Sequence, residues 1–124
     1  MSKLISILYV DDEPVNLMLF EAMFKTKHKV LTAGSGLEGL EILKGNPDIK
    51  VVISDMKMPN MNGLEFIKTA KERYTNIIYC ILSGYDLTDE IQNALDNQII
   101  HKYFQKPFKM AEIDRAITEA LINN

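Results

Sequence analysis

The sequence lacks any apolar stretch approaching the roughly 18 residues that a membrane-spanning helix needs. It has little cysteine: Cys80 stands alone, so no internal disulfide can form. Cys80 falls inside the run Ile77-Ile78-Tyr79-Cys80-Ile81-Leu82, where a thiol behaves as a small buried hydrophobe. Positive charge is not in excess either. Fourteen Lys and Arg against 17 Asp and Glu leave a net charge of −3, which gives no electrostatic footprint for nucleic acid or an anionic membrane. The opening Met1-Ser2-Lys3-Leu4 has no apolar segment of the secretory-signal kind, so the expected compartment is the cytoplasm. Linkers, internal repeats and low-complexity tracts are also missing. What is there is 124 residues, 47% hydrophobic and 25% charged. That is the size and composition of one globular domain, expected over residues 1–124.

Short apolar runs alternate with segments of helical period. The runs cover residues 5–10, 30–33, 51–54, 77–82 and 99–104, rich in Val and Ile. Runs this short and this branched predict buried strands of a parallel sheet. Five helices are expected between and after them. The first opens at Glu13-Pro14, where a first-turn proline loses nothing, with Val15, Met18, Leu19, Ala22 and Met23 as its stripe. The second spans about 36–44, with Gly45 as its C-cap. The third begins near Gly63 and carries Phe66, Ile67 and Ala70. The fourth is expected to start at Asp86, with Asp89 three residues on, and a stripe of Leu87, Ile91, Ala94 and Leu95. The fifth has the cleanest stripe: Ile113, Ala116, Ile117, Ala120 and Leu121. Strands alternating with helices imply a doubly wound α/β domain, and right-handed crossovers put helices on both faces.

The polar residues fall at strand ends. The run Val51-Val52-Ile53-Ser54 stops at a lone carboxylate, Asp55, followed by the loop Met56-Lys57-Met58-Pro59-Asn60-Met61-Asn62-Gly63. Asp11-Asp12-Glu13 follows the first strand, Ser83-Gly84 the fourth, and Lys106-Pro107 the fifth. In a parallel sheet these ends share one edge, the edge at which open α/β sheets bind ligands. Two carboxylates about 4 Å apart at an effective dielectric of about 20 repel by on the order of 4 kcal/mol. A proton or a cation must offset that. Lys106 offsets part of it, and a hard cation with oxygen ligands, Mg²⁺, suits the remainder. Singly, each residue has a plainer role. Asp12 or Glu13 can cap a helix, Asp55 can begin an Asx-turn, Ser83 can cap, and Lys106 can be a solvated loop lysine. Their joint placement at four strand ends is what makes chance improbable.

The chain resembles, over essentially its full length, the receiver domain of bacterial two-component response regulators. The motifs that carry the resemblance are Tyr9-Val10-Asp11-Asp12-Glu13-Pro14, Ser54-Asp55-Met56-Lys57-Met58-Pro59-Asn60-Met61-Asn62-Gly63, Leu82-Ser83-Gly84 and Tyr103-Phe104-Gln105-Lys106-Pro107-Phe108. The resemblance implies a five-stranded parallel sheet in the flavodoxin-like order 2-1-3-4-5. It also implies Asp55 as phosphoacceptor, forming an acyl phosphate. Asp11, Asp12, Asp55 and the backbone carbonyl of Lys57 would hold Mg²⁺, or Mn²⁺ in its place. Ser83 and Lys106 would contact the phosphoryl group, and Tyr103 would turn inward in the active state. Lys57 and Tyr85 match positions that tune the acyl-phosphate lifetime. Lys106-Pro107 matches a peptide bond usually cis in the family. Two features are less common there: Gly84 where alanine is frequent, and the segment 96–101 in place of a glycine-bearing turn.

The function so implied is a phosphorylation-activated switch, not a turnover enzyme. Its donor would be a sensor histidine kinase or a histidine phosphotransfer protein. Its readout would be an output domain or partner, reached through the fourth helix, fifth strand and fifth helix, a face that also admits a homodimer. Two rivals are weighed against it. A pseudo-receiver that binds partners without phosphorylation usually lacks the acceptor, an acidic partner or the lysine, and here all are present. A Mg²⁺-dependent phosphohydrolase would place a second acid two residues after the nucleophile, where this chain has Lys57.

Overall fold

The computed structural model describes residues 4–84 and 87–122. Five strands, β1 (Ser6–Val10), β2 (Lys29–Ala33), β3 (Ile49–Asp55), β4 (Ile78–Ser83) and β5 (Lys102–Gln105), pair in parallel in the order β2-β1-β3-β4-β5. The helices between and after them are α1 (Pro14–Phe24), α2 (Gly36–Gly45), α3 (Gly63–Arg73), α4 (Asp89–Asp96) and α5 (Met110–Ile122). This is the expected doubly wound fold and strand order.

The pleat divides the core in two, because successive strand residues point to opposite faces. Ile7, Tyr9, Val51, Ile53, Cys80 and Leu82 meet Phe20 and Phe24 of α1 and Ile113, Ala116 and Ile117 of α5. Leu8, Val10, Val52, Tyr79 and Ile81 meet Leu43 of α2, Leu64, Phe66 and Ile67 of α3, and Ile91 and Ala94 of α4. Cys80 is buried as expected, and burial pushes its thiol up to about 12.

Four local expectations are corrected. The stripe expected for α1 is its outer face: Val15, Met18 and Leu19 are 64%, 69% and 51% exposed. Apolar residues occupy most of α1, so period alone does not choose a side. Phe20 and Phe24 choose it, because two phenyl rings bury more area than the smaller chains opposite them. Gly45 is not a left-handed cap but the last residue of α2. Asn46 ends the helix, with its side-chain amide donating to the Ile42 carbonyl. Helix α4 starts at Asp89, because the Thr88 hydroxyl accepts from the Ile91 amide and supplies the N-cap. The expected start, Asp86, lies outside the described residues. The apolar pair Ile99-Ile100 precedes β5 rather than opening it. Both amides donate to the Ala94 carbonyl, so this pair closes the end of α4. Beside the end of α1, His28 is half-buried and bonded to Asp114 through Nε2 at 3.1 Å.

Candidate active site at the carboxyl edge of the sheet

The site is built from strand ends. β1 and β3 are neighbours at the centre of the sheet, so the residues that follow or end them are brought side by side. Asp11 is fully buried. Its amide donates to Ala33 O at 3.1 Å, which anchors the end of β1 to β2. Its Oδ1 accepts from the Glu13 amide at 3.0 Å. Its Oδ2 accepts from the Tyr9 hydroxyl at 2.6 Å and the Asn16 side-chain amide at 3.1 Å. Glu13 occupies the N-cap position of α1 without a side-chain capping bond.

Asp55, 6% exposed, closes β3. The loop after it turns sharply inward. The Met56 amide donates to Leu82 O at 3.1 Å, and the Gly63 amide to Met56 O at 2.8 Å. A Cβ at Gly63 would overlap the Asp55 carbonyl oxygen, so only glycine lets α3 start this close to the strand end. Asn62 and Glu65 then form a reciprocal capping box.

The counter-charge comes from the other end of the sheet. Lys106 follows β5, and its amide donates to Ser83 O at 2.7 Å. Its ammonium lies 2.9 Å from Asp55 Oδ1 and 3.4 Å from Asp11 Oδ2. The Lys106–Pro107 peptide is cis. Ser83 is buried beside it at the end of β4. Asp12 completes the acidic group: Asp11, Asp12 and Asp55 each offer an oxygen, all within 4.8 Å of one another.

The electrostatics are those of crowded acids. Burial is the main force raising the Asp55 carboxyl above the usual carboxylate range. Lys106 pulls it down, the charges of Asp11 and Asp12 push it up, and the net is upward. Burial would lower the Lys106 ammonium, but its bond to Asp55 and the charges of Asp55 and Asp11 outweigh that and raise it. The Tyr9 phenol is driven far above its ordinary value, first by burial and then by Asp11, so it stays a proton donor. An oxygen-only donor set with three carboxylates and a surplus of negative charge fits a hard divalent cation such as Mg²⁺.

The structure therefore brings Asp11, Asp12, Asp55 and Lys106 together, with Ser83 at the adjacent strand end. Lys57 is exposed in the loop after β3, and Tyr103 is half-buried on β5 against the α4-side core. Tyr85 lies outside the described residues. The sequence reading missed Tyr9 and Asn16 as partners of Asp11. The signal for Tyr9 was present: it stands two residues before Asp11, on the same side of the pleat.

A family profile described as response regulator receiver domain matches residues 7–118. The chain is 35% identical over 117 residues to sporulation initiation phosphotransferase F of Bacillus subtilis, covering 93% of this chain and 92% of that one. It is 30% identical over 103 residues to the hydrogenase transcriptional regulatory protein HoxA of Cupriavidus necator. That match takes in 83% of this chain but only 21% of the regulator. Among solved structures, a response regulator receiver domain protein from Clostridium thermocellum superposes with a TM-score of 0.86 at 31% identity, covering 97% of this chain and 96% of that one. With the family profile running through both Asp11 and Lys106, the chain belongs to the response regulator receiver domains of two-component systems.

Proposed function

We propose that this chain is a phosphorylation-activated switch with Asp55 as the phosphoacceptor. The observation that carries this reading is the convergence of Asp11, Asp12, Asp55 and Lys106 from separate strand ends onto one spot. An Asp55 oxygen attacks the phosphorus of a phosphohistidine on a sensor kinase or phosphotransfer protein. The new O–P bond forms as the P–N bond breaks, and the electron pair stays on the donor imidazole. The Lys106 ammonium, already 2.9 Å from Asp55, meets the incoming phosphoryl oxygens as a point charge. Asp11, Asp12, Asp55 and the Lys57 carbonyl would hold Mg²⁺. When bound, the ion supplies neutralisation of the transferring phosphoryl charge.

The donor protein needs a surface next to Asp55. The exposed face of α1 supports that role, since Leu19 shares a groove of about 460 Å³ with Asn16, Lys106 and Pro107. After transfer, the Ser83 hydroxyl and Lys106 bind the phosphoryl group, Tyr103 turns inward, and the α4–β5–α5 face changes shape. Lys57 and Tyr85 tune the lifetime of the acyl phosphate. The chain promotes its own phosphorylation and passes the state to an output domain or partner. To move the population from 1:99 to 99:1, phosphorylation must favour the active form by about 5.5 kcal/mol, within reach of a few charge-assisted hydrogen bonds.

Incubation with Mg²⁺ and acetyl phosphate, followed by intact mass, tests the reading. One added phosphoryl group is expected, absent in Asp55→Asn. No adduct, or an adduct that survives Asp55→Asn, would sink it.

A further inference from the structure

Tyr9 is fully buried in β1, yet its hydroxyl is spent on the site. The 2.6 Å bond to Asp11 Oδ2 is the shortest of four that hold that carboxylate among the described residues. The others come from the Glu13 amide at 3.0 Å, Asn16 at 3.1 Å and Lys106 at 3.4 Å. Glu13 holds Oδ1 while Tyr9 holds Oδ2, so the plane of the carboxylate is pinned from both ends. The Tyr9 ring cannot drift away from it. It stacks on Phe20 with centroids 4.2 Å apart and an interplanar angle of 10°. Phe20 in turn stacks on Phe24 at 4.6 Å and leans on Phe108 at 5.7 Å. A rigid aromatic column thus carries one hydrogen-bond donor to one oxygen of the buried acid.

We propose that Tyr9 is a positioning residue that fixes the rotation of the Asp11 carboxylate and so sets the affinity of the acidic cluster for a divalent cation. The inference rests on the Mg²⁺-assisted phosphoacceptor reading. Outer partners that orient metal-binding carboxylates and imidazoles govern metal affinity by about 10- to 100-fold when removed. Asp11 keeps three other donors here, so the lower end of that range applies. Tyr9→Phe deletes the hydroxyl and keeps the aromatic column.

The experiment is a titration of the whole chain with MgCl₂ alone, read by amide chemical shifts, on wild type and Tyr9→Phe. The expected result is a Kd about tenfold higher in Tyr9→Phe. The metal-free Glu13 amide and Asn16 side-chain amide signals should shift as the carboxylate is released. A Tyr9→Phe chain that binds Mg²⁺ like wild type, or that no longer folds, assigns the phenol a purely structural role and overturns the proposal. Acetyl phosphate and intact mass, run in parallel, separate this from the underlying reading. If wild type binds Mg²⁺ but takes no phosphoryl group, the switch reading fails while the Kd ratio still decides the role of Tyr9. If wild type binds no Mg²⁺, both fall.

Discussion

The Lys106 ammonium lies 2.9 Å from Asp55 Oδ1, although β5 and β3 are separated in the sheet by β4. The long side chain crosses a strand to reach the acid. Its removal leaves Asp55 and Asp11 facing each other without a cation. Lys106→Met should therefore destabilise the metal-free protein at pH 7 by about 2 kcal/mol, below the usual loss for a fully buried pair because the lysine is partly exposed. The pH dependence has a definite sign. The folded Asp55 carboxyl is raised, so its ionisation costs stability above that raised value. The cost fades as pH falls toward the ordinary carboxylate range. Lys106, also raised, contributes stability below its ordinary value and loses it as pH rises through the folded one. Thermal melts from pH 7 down to pH 4 should show the Lys106→Met deficit shrinking. A deficit that grows with acid would contradict the crowded-acid picture.

Divalent cations should do for the acids what a second lysine would. At a Mg²⁺ concentration ten times Kd, linkage adds about 1.4 kcal/mol of stability, a rise of several degrees in Tm. Chelation should return Tm to its metal-free value. In Asp12→Asn, which removes one of the three clustered acids, most of the Mg²⁺-dependent rise should vanish in the same melt.

Two glycines flank the site and predict opposite behaviour. Gly63 has the Asp55 carbonyl oxygen where a Cβ would stand, whereas a Cβ at Gly84 meets nothing within 4 Å. Gly63→Ala should cost about 3 kcal/mol, the upper range for overpacking, because backbone rather than a flexible side chain must move. Gly84→Ala should change stability by less than about 0.5 kcal/mol. Urea denaturation of the pair checks both.

Gln98 adopts a left-handed backbone, φ 59°, in the turn after α4. Its carbonyl accepts from the Lys71 ammonium at 2.8 Å, which helps hold the turn. A side chain there costs roughly 1–2 kcal/mol, and the extra unfolded-state freedom of glycine returns part of that. Gln98→Gly should raise stability by about 0.5–1 kcal/mol in equilibrium unfolding. A fall would mean that the side chain itself supports the turn.

Element type and order were legible because the Val- and Ile-rich runs are short and the Asp, Ser and Lys residues stand where the runs stop. The strand order was legible only through the family resemblance, since parallel runs of similar composition do not say which neighbours which. Helix α1 was misread because most of its positions are apolar, and ring size rather than spacing chose the buried side. The fourth helix was misread because a chain of Asp and Thr residues offers several caps, and the Thr88 hydroxyl is the one that accepts from the Ile91 amide. At the site, the acids and the lysine were legible as residue types. The Tyr9 bond was missed although the two-residue spacing to Asp11 put both on one side of the pleat, because a tyrosine inside an apolar run looks like core until its hydroxyl is given a partner.

The strand order has a mechanical consequence. β1 and β3 are each hydrogen-bonded on both sides, while β5, four residues long, is paired among the described residues with β4 alone. The acids are thus mounted on the fixed jaw of a vice, and the lysine on the jaw at the sheet margin. A margin strand can shift without unzipping the centre. A force applied to the outer side of β5 would reset the gap between charges while leaving the acids where they are.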